Sequence, residues 1–117
     1  METLTSPQSR LFGALAYLLF FVSGILLLAL EPYSKDDYVR FHARQSIVFS
    51  VAWIAVTVVF SVFIAILPGA LGRLLIGIKH LIDFAFALVW LFLMYKAYSG
   101  ERYRLPQLAD WADAMGF

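Results

Sequence analysis

The chain of 117 residues is 62% hydrophobic, 17% aromatic and only 15% charged, with a mean hydropathy of +0.82. A soluble domain spends about a quarter of its residues on charge, and so short a chain has too little interior to hide this much apolar surface, so a free-standing water-soluble domain is excluded. Nine Lys/Arg against eight Asp/Glu leave a net charge of +1 without a block of like charge, which excludes a basic nucleic-acid arm; the lack of cysteine excludes disulfides, thiolate nucleophiles and cysteine-held metal or iron–sulfur sites.

The first apolar run, Leu11 to Leu30, reads "LFGALAYLLFFVSGILLLAL", twenty residues between Arg10 and Glu31. At about 1.5 Å per residue it reaches roughly 30 Å, one hydrocarbon core, and predicts a transmembrane helix over 11–30. A cleaved signal peptide fits less well. The run exceeds the roughly 7–15 residues of a signal core, and no small-x-small site lies between it and "EPYSKDD".

Next, Ser34-Lys-Asp-Asp37 resembles a capping box that would start a second helix near Lys35. Its apolar part, Gln45 to Leu67, has twenty-three uncharged residues and stops at the turn pair Pro68-Gly69. The Val and Ile content would favour a strand in water, but an isolated strand leaves its backbone unpaired in lipid, so the membrane stretch near 42–67 is expected to be helical. On that helix His42, Ser46, Ser50, Thr57 and Ser61 follow spacings of four, four, seven and four and make one narrow stripe. The stripe is expected to pack against another helix, its hydroxyls bonding across at roughly 0.6–2 kcal/mol each. Bonding of Ser and Thr back to their own helix is the alternative. Arg40 and Arg44 are expected to snorkel towards phosphates while Tyr38 and Phe41 lie at the headgroup boundary, all four anchoring topology, with a dedicated lipid or partner site as the alternative. His42 reads as a hydrogen-bonding residue. No second ligand stands at a helical spacing from it, so no metal site is expected.

The third run is short: between Asp83 and Lys96 lie only twelve uncharged residues, "FAFALVWLFLMY". They make about 18 Å of helix, too little to cross a bilayer. The crossing helix must borrow from "LLIGIKHLID" and run near 73–97, which takes Lys79, His80 and Asp83 into the membrane. A charged side chain costs roughly 2.5–3.5 kcal/mol near the bilayer centre, so these groups must be paired, shallow or hydrated. Lys79 stands one turn before Asp83, and His80 shares that side, so a local ion pair with either is the simplest account. A proton relay is the alternative, but the apolar cores of the first two runs offer no ionisable group to extend it. Lys96 and Gly100 form a helix stop, and Pro106 is placed to open a short helix within a tail spanning 101–117. There Leu108, Trp111, Ala112 and Met115 oppose Asp110 and Asp113, a pattern suited to an interfacial segment with Trp111 as an anchor.

The expected architecture is therefore all-α: a single membrane domain over 1–117 with three transmembrane helices, near 11–30, 42–67 and 73–97, and a short C-terminal interfacial segment. With three crossings, Lys35, Arg40, Arg44, Lys96, Arg102 and Arg104 share one side against Arg10, Arg73 and Lys79 on the other. That excess puts the C-terminus in the cytoplasm and the N-terminus outside, in a multi-pass protein of a bacterial inner membrane.

"VRFHARQS" at the start of the second helix and "YKAYSGERYRLP" after the third resemble the paired signatures of the Tic-twenty-like superfamily of small membrane proteins. The superfamily groups bacterial and archaeal proteins of unknown function, magnetosome-membrane proteins and a subunit of the chloroplast inner-envelope translocon. The resemblance implies a small helical accessory of a larger assembly, with no catalytic residues to carry over. The residues themselves favour a non-enzymatic structural or assembly subunit, without cofactor, whose partners are the lipid bilayer and either other membrane proteins or further copies of itself. The alternative is a homo-oligomeric pore or carrier for protein, ions or protons, lined by the stripe and Asp83. An enzyme ranks below both, because the only histidines, His42 and His80, lie near opposite helix ends without a nucleophile motif.

Overall fold

A computed structural model describes residues 6–30, 35–105 and 108–114. Their regular structure is helical throughout: α1 (Pro7–Leu18), α2 (Phe21–Ala29), α3 (Asp37–Ile66), α4 (Gly69–Tyr98) and α5 (Leu108–Ala114). The long axis measures 54 Å and the other two 24 and 21 Å.

That length belongs to α3 and α4. Each has 30 residues and is long and apolar enough to cross a membrane, rising to about 45 Å against a hydrocarbon core of about 30 Å. They are antiparallel, joined at Leu67 and Pro68, with Trp53 stacked on Phe86 at 5.1 Å and the Tyr38 hydroxyl on the Ala97 carbonyl at 2.6 Å. The cap of α3 is Asp36, whose carboxylate accepts from the backbone N–H groups of Tyr38 and Val39; Ser34, the capping residue expected from sequence, lies outside the described residues. Such a cap contributes about 1 kcal/mol.

The stretch expected to cross as one helix over 11–30 is instead two short helices with a break at Leu19 and Phe20. Lengths of 12 and 9 residues give about 18 and 14 Å, so neither crosses alone. α1 runs alongside α3 in the same direction: Ser9 bonds the Asp36 carboxylate, Tyr17 reaches His42 and Gln45, and Phe20 meets Trp53. α2 then returns. Gly24 lies against Ala43, and Leu27 joins a cluster with Ala16, Val39 and Ala43. A β-carbon on Gly24 would sit 2.8 Å from the Ala43 carbonyl oxygen, so only glycine lets the two backbones come this close.

The tip has no water to rely on if it lies in lipid, and its backbone is satisfied by side chains. Ser23 Oγ donates to the Ala16 carbonyl at 2.8 Å and accepts from Leu19 N–H at 3.1 Å, Ser46 Oγ donates to the Phe20 carbonyl at 2.9 Å, and Trp90 Nε1 donates to the Tyr17 carbonyl at 2.6 Å. Phe20 has φ of 57°, a left-handed value that is strained for an aromatic residue. Its ring compensates by packing 5.5 Å from Trp53 and 5.3 Å from Trp90. The main core lies just beside this tip, where Ala14, Tyr17, Phe49, Leu93 and Ala97 bring α1, α3 and α4 together.

Candidate functional site

The densest polar chemistry is a buried junction at the end of the molecule where α3 starts and α4 finishes. α4 stops in a turn at Gly100 (φ 89°), with Gly100 N–H on the Ala97 carbonyl and Glu101 N–H on the Lys96 carbonyl, a pattern that ties off carbonyls the helix leaves open. The chain then passes in extended form over the first turns of α3. Tyr38 shares its hydroxyl proton between the carbonyls of Ala97 at 2.6 Å and Glu101 at 3.1 Å. His42 Nε2 lies 3.1 Å from the Glu101 carbonyl and His42 Nδ1 lies 2.7 Å from the Tyr17 hydroxyl.

A carbonyl can only accept, so Nε2 carries the proton and Nδ1 accepts from Tyr17. Gln45 completes the chain. Its amide nitrogen donates to the Tyr17 hydroxyl at 2.8 Å and to the Tyr103 carbonyl at 2.9 Å, and its amide oxygen accepts from Leu105 N–H at 2.9 Å. Every proton of that amide is used, which fixes its orientation. Tyr17, His42 and Gln45 are at most 1% exposed, so each bond stands in for water that cannot enter.

Arginines close the outside of the junction. The Arg102 guanidinium lies 5.6 Å from the Tyr38 ring and 5.9 Å from the Phe41 ring, and that of Arg104 lies 6.0 Å from Phe41. Arg104 also donates to Asp113 and Asp110, both at 2.8 Å, which ties the extended segment to α5 and raises the Arg104 pKa, Asp113 having the larger effect. The two signatures "VRFHARQS" and "YKAYSGERYRLP" thus meet in space, one supplying side chains and the other mainly backbone.

The stripe divides. His42, Ser46 and Ser50 are buried, Thr57 is half-buried and Ser61 is exposed. Ser46 bonds across to the hairpin tip, whereas Ser50 bonds back to the Ser46 carbonyl at 2.8 Å. Tyr38 and Phe41, expected at the headgroup boundary, are buried within the protein, where the arginines of the tail lie over their rings. Arg40 and Arg44 are half-buried, and Trp111 is exposed while Ala109 and Ala112 form the covered face of α5. Met115 and Pro106 lie outside the described residues.

A second polar feature lies beside the hairpin tip. Lys79 Nζ donates to Asp83 Oδ2 at 2.7 Å and Trp53 Nε1 donates to Asp83 Oδ1 at 2.9 Å, while His80 is exposed. Sequence spacing alone missed Trp53, since it stands thirty residues from Asp83 on another helix. Beside this group a groove of about 340 Å³ is lined by Phe20, Phe21, Ser50, Trp53, Thr57 and neighbouring apolar residues. Among the described residues no three His, Asp or Glu side chains come together to hold a metal ion.

No solved structure matches the chain. It is 41% identical over 113 residues to a UPF0132 membrane protein of Methanocaldococcus jannaschii, covering 96% of this chain and 92% of that one. A UPF0132 membrane protein of Archaeoglobus fulgidus is 41% identical over 107 residues, 91% of this chain and 93% of its own length. A second Methanocaldococcus jannaschii relative under the same description is 39% identical over 101 residues, 86% of this chain but only 65% of the relative, so this chain spans less than two thirds of that protein. These relatives are archaeal, and they do not carry the expected bacterial setting to this chain. They are membrane proteins, as this protein is. A family model matches residues 8–112, nearly the whole described fold, and the chain accordingly belongs to the magnetosome magnetite crystal formation protein family.

Proposed function

We propose that this protein is a non-enzymatic structural subunit of a larger membrane assembly. One observation carries the proposal: the buried polar groups, Tyr17, His42 and Gln45, spend their hydrogen bonds on one another and on the tail backbone, so they serve to fix a shape. The implied accessory role of the Tic-twenty-like superfamily agrees with it. For the crystal-formation role in the family's description, we place the contribution of this chain in building the membrane assembly and not in holding iron. Among the described residues, Asp36, Asp83, Glu101, Asp110 and Asp113 are engaged in a helix cap or in bonds to Lys79, Trp53, Lys96 and Arg104, and no three acidic or histidine side chains come together.

In this proposal α3 and α4 cross the membrane, while α1 and α2 dip in and return on the side they entered. Arg10, Lys35, Arg40, Arg44, Lys96, Arg102 and Arg104 then lie at the junction end, against Arg73 near the other and Lys79 within the span. Seven of the nine Lys/Arg thus share one end, which makes it cytoplasmic and brings the N-terminal side of α1 there with the tail. The three-crossing arrangement would separate them.

A pore of several copies is the second reading, favoured by the partly exposed Lys79–Asp83 pair inside α4. Purification in mild detergent from native membranes separates the two. A single dominant complex with other membrane proteins supports the structural role. Copies of this chain alone, conducting ions in liposomes, would replace it with the pore.

A further inference from the structure

The uncovered half of the α3–α4 layer contains a charge problem that the single chain does not solve. Asp83 receives the Trp53 indole, and the same indole touches Phe20 at the hairpin tip, so the carboxylate lies at the depth of the tip, near the middle of both long helices. Its side chain is 30% exposed and that of Lys79 is 22% exposed. Among the described residues, the Lys79 ammonium places one of its three protons on a protein acceptor, Asp83. Charged groups cost roughly 2.5–3.5 kcal/mol each near the bilayer centre, and a pair within one helix offsets only part of that. Lipid tails offer no partner.

The pattern of charge indicates what would. Lys79 and Asp83 present one cation and one anion a single turn apart, and Ile76, His80 and Asp83 follow spacings of four and three along one stripe of α4. Such a face is self-complementary. A two-fold axis along the membrane normal sets two of these stripes side by side, and the four charges alternate in sign around the contact. Ile76 and Phe84, 41% and 63% exposed, supply apolar surface on either side.

We propose that this stripe of α4 is the contact between two copies of the chain, each copy's Lys79 bonding the other's Asp83. The inference deepens the structural reading by naming one partner, and it rests on α4 crossing the membrane. Because the native chain has no cysteine, single cysteines report the contact directly in native membranes. Ile76→Cys should form a disulfide-linked dimer at least about tenfold above Leu74→Cys, which lies on the opposite side of α4. The charges are tested in trans with two affinity tags. Asp83→Lys alone and Lys79→Asp alone should each lose self-association, because like charges then meet, and co-expression of the two should restore a mixed dimer. Equal crosslinking at Ile76→Cys and Leu74→Cys, or an Ile76→Cys adduct only with a different protein, would overturn the proposal. So would absence of the mixed dimer when both variants are inserted. The cysteine arm keeps both charges and stands if the charge variants fail to insert. Capture of a heteromeric complex without the Ile76→Cys dimer would leave the structural role standing and sink this inference alone.

Discussion

All ten buried residues of α3 lie between Tyr38 and Ser50, and none lies between Val51 and Ile66. The first half is enclosed by the α1–α2 hairpin, the end of α4 and the extended tail. Past Trp53, which meets Phe20 and Phe86, the second runs beside the first half of α4, whose buried residue there is Gly72, and it displays Val51, Val58, Val62, Phe63 and Ile66 outward. The enclosed half is the more polar of the two, with Arg40, His42, Arg44 and Gln45 where 51–66 holds no charged residue. The halves also differ in what supplies their contacts: protein in one, lipid or another chain in the other. Burial in a membrane protein is thus set by the reach of neighbouring elements, since lipid tails are as apolar as the side chains and give helices no hydrophobic reason to associate.

The comparison breaks most visibly in topology. Reporters ahead of Ser6 and after Phe117 should lie on one side of the membrane, and a reporter inserted at Pro68 on the other. Opposite signals from the first two would mean that α1 and α2 cross, and the enclosed half would lose its hairpin. Gln45→Leu should have the largest energetic effect. It removes three hydrogen bonds and leaves buried partners unmet, for a loss of about 3 kcal/mol. Thermal unfolding in detergent measures the loss, and faster proteolysis near Tyr103 should accompany it. An unchanged midpoint would remove the junction from the account.

A smaller loss, about 2 kcal/mol, is expected for Gly24→Val, where the added β-carbon meets the Ala43 carbonyl. The hairpin should detach while α3 and α4 stay inserted, which cysteine pairs between α2 and α3 would register as lost crosslinking. Val62→Leu in the open half should change stability by less than about 0.5 kcal/mol. A large effect there, in the purified single chain, would show that the open half has protein contacts of its own.

The sequence carries the open half better than the enclosed one. Runs of apolar residues and the pair Pro68-Gly69 are enough to place α3 and α4, and four-residue spacing is enough to bring Lys79 to Asp83, 2.7 Å apart in the structure. These are local properties of a helix. The break at Leu19 and Phe20 has no proline or charge to announce it, and "YLLFFVSG" looks like continuous helix. What stabilises the break comes from far along the chain: Ser46, Trp53 and Trp90. Gln45 was legible only as the start of an uncharged run, because its partners, Tyr17, Tyr103 and Leu105, are brought to it by the fold. For Tyr38 and Phe41 the sequence shows no sign of the tail that covers them, since the arginines over their rings stand much further along the chain.

The tail's bonds to Tyr38, His42 and Gln45 also impose an order on biogenesis. Residues 101–105 leave the ribosome after all four preceding helices, so the hairpin is made before its fastener exists. Until then α1 and α2 are held against α3 by packing and by the bonds of Ser9, Tyr17 and Phe20 to that helix and its cap, and Tyr38, His42 and Gln45 lack their partners on the tail. Synthesis and locking of the hairpin are therefore separate events in time, and the nascent chain keeps the freedom to correct its first segment until its last one arrives.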